Sequence, residues 1–160
     1  MKGSLSLGRV AGISVFIHWT FVILIGYIVF SNYRAGQDAM QIFWSVIFVL
    51  SIFLTVFLHE MGHALAARRY GIRTPDITLL PIGGLARLER MPEKPSEEIV
   101  VAFAGPAVNV VIAVVLILAM NARFDLEALQ RLDNPALSFL VRLASVNVFL
   151  VLFNLIPAFP

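Results

Sequence analysis

His59, Glu60 and His63 stand in the order H-E-x-x-H within the stretch Leu58-His59-Glu60-Met61-Gly62-His63-Ala64. On an α-helix the two histidines lie one turn apart and about 40° apart around the axis, so both imidazoles reach one metal ion of tetrahedral preference. Glu60 flanks that face, where a carboxylate can take a proton from water. The chemistry such a trio supports is metal-assisted hydrolysis. The same letters also occur on surface helices as two unrelated histidines. Here, however, the uncharged residues 39–58 run directly into the motif. Ionisable side chains inside an apolar span are costly and are retained mostly where they pair, bind ions or face water, which makes coincidence a poor account of this cluster.

The surrounding composition sets the environment. Of 160 residues, 59% are hydrophobic and 14% charged, and the mean hydropathy of +0.89 lies beyond the range of an ordinary soluble domain. The composition is that of a membrane protein. With no cysteine in the chain, disulfides and thiolate metal sites are excluded, and a metal would be held by His, Asp or Glu. The formal charge of +2 comes from Arg and Lys flanking the apolar segments, so it bears on membrane topology and does not suggest nucleic-acid binding.

Residues 10–33, 39–58, 99–122 and 143–160 contain no Asp, Glu, Lys or Arg, and roughly 20 helical residues span a bilayer core. The expected fold class is an all-α polytopic membrane protein with about four transmembrane helices, at 10–33, 39–67, 99–122 and 137–160. A small cytoplasmic β-hairpin-like loop is expected within 70–98, where the run DITLLPIGGLARLE places two strand-like segments around Pro81-Ile82-Gly83-Gly84. Ser96 suits a cap for the third helix, and FDLEALQRL suits a short surface helix before the fourth. No cleavage-site pattern follows Phe30, so the first apolar stretch reads as a retained helix. If four helices alternate, eight basic residues fall on the side of the N-terminus and the 70–98 loop, against four on the other. That bias makes the N-terminus and that loop cytoplasmic, in a multi-pass protein of the cell membrane.

Depth suggests which residues could meet. His18 lies nine residues past Arg9, His59 nine before Arg68 and Asn109 eleven past Glu98, which puts all three roughly 13 to 17 Å from their flanking charges at the helical rise. Asn154 approaches the same half from the fourth helix. Each has a plainer role open to it. His18, beside Trp19, suits an interfacial anchor, and Asn109 suits a polar contact between helices, with Ala104, Gly105 and Ala107 allowing close approach. Pro106 and Pro157 are expected to kink or break their helices, which at membrane depth requires protein or a wet cavity to satisfy the freed backbone.

These elements together resemble the site-2 proteases, a family of intramembrane zinc metalloproteases. The resemblance rests on HEMGH, then LLPIGGLARLE, AGPAVN and FNLIPAFP, in that order along the chain. It implies one zinc ion held by His59 and His63, Glu60 as the catalytic base, and Asn109 and Asn154 lining the site, their amides helping to stabilise an oxyanion or to hold substrate. Gly83, Gly84 and His18 are expected in auxiliary roles, the glycines beside a strand that holds substrate extended. The implied activity is hydrolysis of peptide bonds in or near the transmembrane segment of a membrane-protein substrate within the lipid bilayer. In the family's last motif, N-x-x-P-x-x-P-x-D-G, the Asp is the third zinc ligand. Asn154, Pro157 and Pro160 match it, and the Asp is expected two residues past Pro160, so the 160 residues read as the N-terminal part of a longer enzyme and as inactive alone. The alternatives are a catalytically inactive membrane regulator of the same fold and, less in keeping with Glu60 as the only acid in the four spans, a metal transporter.

Overall fold

The computed structural model describes residues 3–123 and 135–155, with side chains described for 3–120 and 138–155. In chain order its elements are β1 (Ser4–Val10), β2 (Ile13–His18), α1 (Thr20–Arg34), α2 (Ala39–Arg69), β3 (Asp76–Leu80), β4 (Gly83–Arg87), α3 (Pro95–Arg123) and α4 (Pro135–Leu155). The molecule is mostly helical with one small sheet, whose order is β1-β2-β3-β4. The outer pairs are antiparallel and the central pair β2–β3 is parallel, the latter joined through α1 and α2 because parallel neighbours need a crossover.

The sheet corrects the all-α expectation. Residues 10–18, read above as the start of the first transmembrane helix, are strand and turn. Lack of charge is common to a buried strand and a membrane helix. What separates them is the alternation of buried Ile13 and Val15 with less buried neighbours and the turn at Ala11 and Gly12, where φ is +51° and +84°. Two successive left-handed residues are what a tight two-residue hairpin needs. Arg68 Nη1 donates to the Ala11 carbonyl at 3.2 Å, tying this hairpin to the end of α2. As a result α1 has 15 residues, about 23 Å at the helical rise, short of the roughly 30 Å bilayer core. Among the described residues, three helices are long and apolar enough to cross a membrane: Ala39–Arg69, Pro95–Met120 and Ser138–Leu155.

Local signals place the two helices that matter most. At the start of α2, Asp38 Oδ1 accepts from the Gln41 amide at 2.8 Å, and Gln41 Oε1 accepts from the Asp38 amide at 3.0 Å. This reciprocal cap opens a helix of 31 residues that carries the histidines in its last third. α3 begins at Pro95, before the expected start at 99, because Pro suits a first helical turn and Glu97 and Glu98 complement the helix dipole. Ser96 lies inside that turn. α3 also continues through Pro106 without a break, so the proline removes one backbone donor and does not end the helix. FDLEALQRL, Pro157 and Pro160 lie outside the described residues.

The two runs around Pro81-Ile82 form β3 and β4. In β3 the residues Ile77, Thr78 and Leu79 are all buried, as befits a strand paired on both sides. Ile77 and Leu79 join Ile13, Phe21, Phe53, Met61 and Ala64 in one cluster, which fixes the sheet against α1 and the motif turn of α2. Ala66, Ala67, Ile72 and Val101 join α2 to α3, and Met120 and Ala144 join α3 to α4.

Candidate metal centre

One turn apart on α2, His59 and His63 bring their Nε2 atoms to 3.0 Å, with the rings nearly perpendicular. His63 Nδ1 lies 2.7 Å from the Val101 carbonyl of α3. A carbonyl only accepts, so Nδ1 carries the proton and Nε2 keeps its lone pair. Two imidazole nitrogens at this distance repel unless a proton or a cation lies between them. A metal ligand whose other ring nitrogen donates to a backbone carbonyl is the usual support for a bound ion. The donor set therefore fits an imidazole-binding metal such as zinc, with two protein ligands among the described residues, where no group of three or more His, Cys, Asp or Glu converges.

α3 can approach this edge because its residues are small. A Cβ on Gly62 would meet the Ala104 carbonyl oxygen at 2.7 Å, and one on Gly105 would overlap the His63 ring. Asn109 is wholly buried beside His59. Ala104 and Gly105 thus serve a close helix contact and a place at the histidines at once.

Glu60 turns to the other neighbour, β4. A Cβ on Gly84 would lie 2.5 Å from Glu60 Cγ and 3.0 Å from Cδ and Oε1, so the strand backbone rests on the carboxylate arm. The Ala86 backbone amide faces the same carboxylate. Gly83 opens β4 at φ +141° with open space around it, and so makes no such contact. α2 and α3 thus position the two imidazole nitrogens, and β4 positions the carboxylate that neighbours them on α2.

Two residues anticipated from sequence make local contacts. His18 Nδ1 lies 2.8 Å from Thr20 Oγ1, and the His18 ring stands 5.9 Å from that of Trp19, at the entry to α1. The helical rise does not apply to His18, because residues 13–18 are strand, which rises about 3.3 Å per residue and not 1.5 Å; by register its neighbour Ile17 aligns with Leu79 and, through it, with Gly84. Asn154 is exposed, and its Nδ2 donates to the Leu150 carbonyl at 2.7 Å on its own helix. Asn147, seven residues earlier on α4, is wholly buried; its Nδ2 donates to the Leu143 carbonyl at 2.8 Å while its Oδ1 has no hydrogen-bond partner. Nothing in the sequence pattern singled it out, although an asparagine on the same helical face as Asn154 within an apolar span was a readable signal. Thr55, one turn before His59, is buried too and was equally silent.

The model of peptidase family M50 matches residues 47–132, which contain both histidines, Glu60, β3, β4 and Asn109. The chain belongs to peptidase family M50, the site-2 protease family. This M50 chain is 36% identical over 164 residues to a zinc metalloprotease of Methanocaldococcus jannaschii, covering 100% of the chain and 43% of that protein. It is 31% identical over 169 residues to a relative from Synechocystis sp., covering 100% of the chain and 42% of the relative. The solved site-2 protease of Methanocaldococcus jannaschii superposes with a TM-score of 0.72 at 35% identity, covering 98% of this chain and 66% of that one. The M50 chain thus spans less than half the length of these curated relatives.

Proposed function

We propose that the complete protein is a zinc-dependent endopeptidase that hydrolyses peptide bonds in or near the membrane-spanning segment of membrane-protein substrates. The observation that carries this reading is the 3.0 Å approach of the His59 and His63 Nε2 atoms, beside Glu60, inside a helix apolar enough to cross a bilayer. His59 and His63 would hold the metal, and the Asn154-x-x-Pro157-x-x-Pro160 run matches the start of the family motif whose Asp is the third ligand. Bound there, zinc supplies Lewis acidity, which polarises a substrate carbonyl and makes water more acidic.

The residues of the chain carry the proton traffic. Glu60 takes a proton from the attacking water as its oxygen bonds to the carbonyl carbon, and returns it to the amide nitrogen as the C–N bond breaks. β4 holds the carboxylate in place through the backbone of Gly84 and the Ala86 amide. A helical substrate must also unwind before its carbonyl is open to attack. β4 is an edge strand bordering Glu60, so an extended substrate backbone added to LARLE would lie beside the base. DITLL cannot serve in that way, since β3 is paired on both sides. With α1 crossing as well as α2, the distribution of basic residues puts the N-terminus and the β3–β4 region in the cytoplasm.

The test is cleavage of a single-span reporter by the complete protein in liposomes. Cutting is expected to stop when a chelator strips the metal and to return when zinc is restored. Zinc bound without cutting would favour an inactive regulator, and cutting that survives metal removal would overturn the proposal.

A further inference from the structure

Asn109 differs from the other helical asparagines whose side chains are described. Asn32, Asn147 and Asn154 each turn Nδ2 back onto the carbonyl four residues earlier, at 2.7, 2.8 and 2.7 Å. This is the usual refuge of a polar side chain in an apolar helix. The equivalent acceptor for Asn109 is the Gly105 carbonyl, yet Nδ2 and Oδ1 of Asn109 both lack a partner although the side chain is wholly buried. The amide has left its own helix and faces the His59 ring on α2, as the Gly105 carbonyl also does, and His59 Nδ1 is buried with no partner within hydrogen-bond distance, so the side-chain carbonyl of Asn109 and the backbone carbonyl of Gly105 are the two acceptors at hand. A buried donor and a buried acceptor left open side by side are both costly, and pairing them removes both penalties.

The partner histidine supplies the pattern. His63 is oriented by donating Nδ1–H to Val101 on α3, one face of the helix that also presents Asn109 two turns later. We infer that Asn109 is the positioning residue for His59: its Oδ1 accepts the Nδ1–H and turns the Nε2 lone pair toward that of His63. α3 then orients both imidazoles, through a backbone carbonyl at Val101 and a side-chain carbonyl at Asn109. This inference rests on the proposed metal-binding role of the histidines. It assigns Asn109 an acceptor's task, distinct from donating its amide N–H to a developing oxyanion.

The two tasks separate in Asn109→Asp, which keeps the acceptor and removes the donor, and in Asn109→Leu, which removes both at similar volume. Each variant of the complete protein is titrated with zinc against a competing chelator, with the cobalt(II) absorption spectrum and cleavage followed in parallel. Asn109→Leu is expected to weaken zinc binding by about 10- to 100-fold, the usual loss on removing a support of a metal-binding histidine. Asn109→Asp is expected to bind zinc at least as tightly as the wild type and to retain cleavage. Wild-type affinity in Asn109→Leu, or full affinity with abolished cleavage in Asn109→Asp, would overturn the inference. The Asp variant decides alone if the Leu variant does not fold. Failure of the underlying reading looks different, because the wild-type protein would then bind no zinc.

Discussion

Glu60→Gln in the complete protein is expected to abolish cleavage of a membrane substrate while leaving the fold and the zinc content unchanged. Gln is nearly isosteric with Glu, so the contact between the side chain and the Gly84 backbone survives. The amide cannot accept and return a proton, and loss of a general base alone typically costs 10²–10⁴-fold in rate, as an order of magnitude. Glu60 is not one of the two converging ligands, so metal analysis is expected to give the wild-type value. Single-turnover cleavage in liposomes measures the effect, and a wild-type rate in Glu60→Gln would remove Glu60 from the mechanism.

Gly105→Ala is expected to damage metal binding and stability together. The added Cβ would occupy the space of the His63 ring atoms Nε2, Cε1 and Cδ2. His63 cannot swing away freely, since its Nδ1 is held by Val101 at 2.7 Å. Either the ring leaves its partner or α3 moves off α2. Inserting a methyl into such a contact costs roughly 1–3 kcal/mol, and displacement of one of two described ligands is expected to weaken zinc binding at least tenfold. Thermal unfolding of the purified protein and chelator competition read the two effects separately. For metal binding the neighbouring change Ala107→Gly provides the control, because Ala107 is exposed, and its own cost in stability is that of a helical glycine, about 1 kcal/mol.

The residues that made the site readable were those whose chemistry conflicts with their surroundings. His59, Glu60 and His63 stand out because an apolar helix has little use for them, and Asn109 because it follows a run of small residues. The three long spans were visible in the same way, from the absence of charge over about 20 residues. That signal carries no period, and it misread residues 10–18, where Gly12 and the alternation of Ile13 and Val15 mark a hairpin. Treating a strand as helix also applied the wrong rise per residue to His18. Asn147 and Asn154 expose the other limit. They are one residue type on one face of one helix, yet the first is wholly buried and the second exposed. Burial of that kind arises between helices and leaves no trace within either one.

The zinc content of the complete purified protein tests His59 and His63 as ligands most directly. About one zinc per chain is expected in the wild type and in Glu60→Gln, with loss of the metal in His59→Ala and His63→Ala variants that keep their wild-type fold. Zinc retained at the wild-type level after both histidines are replaced would contradict the assignment of His59 and His63 as its ligands.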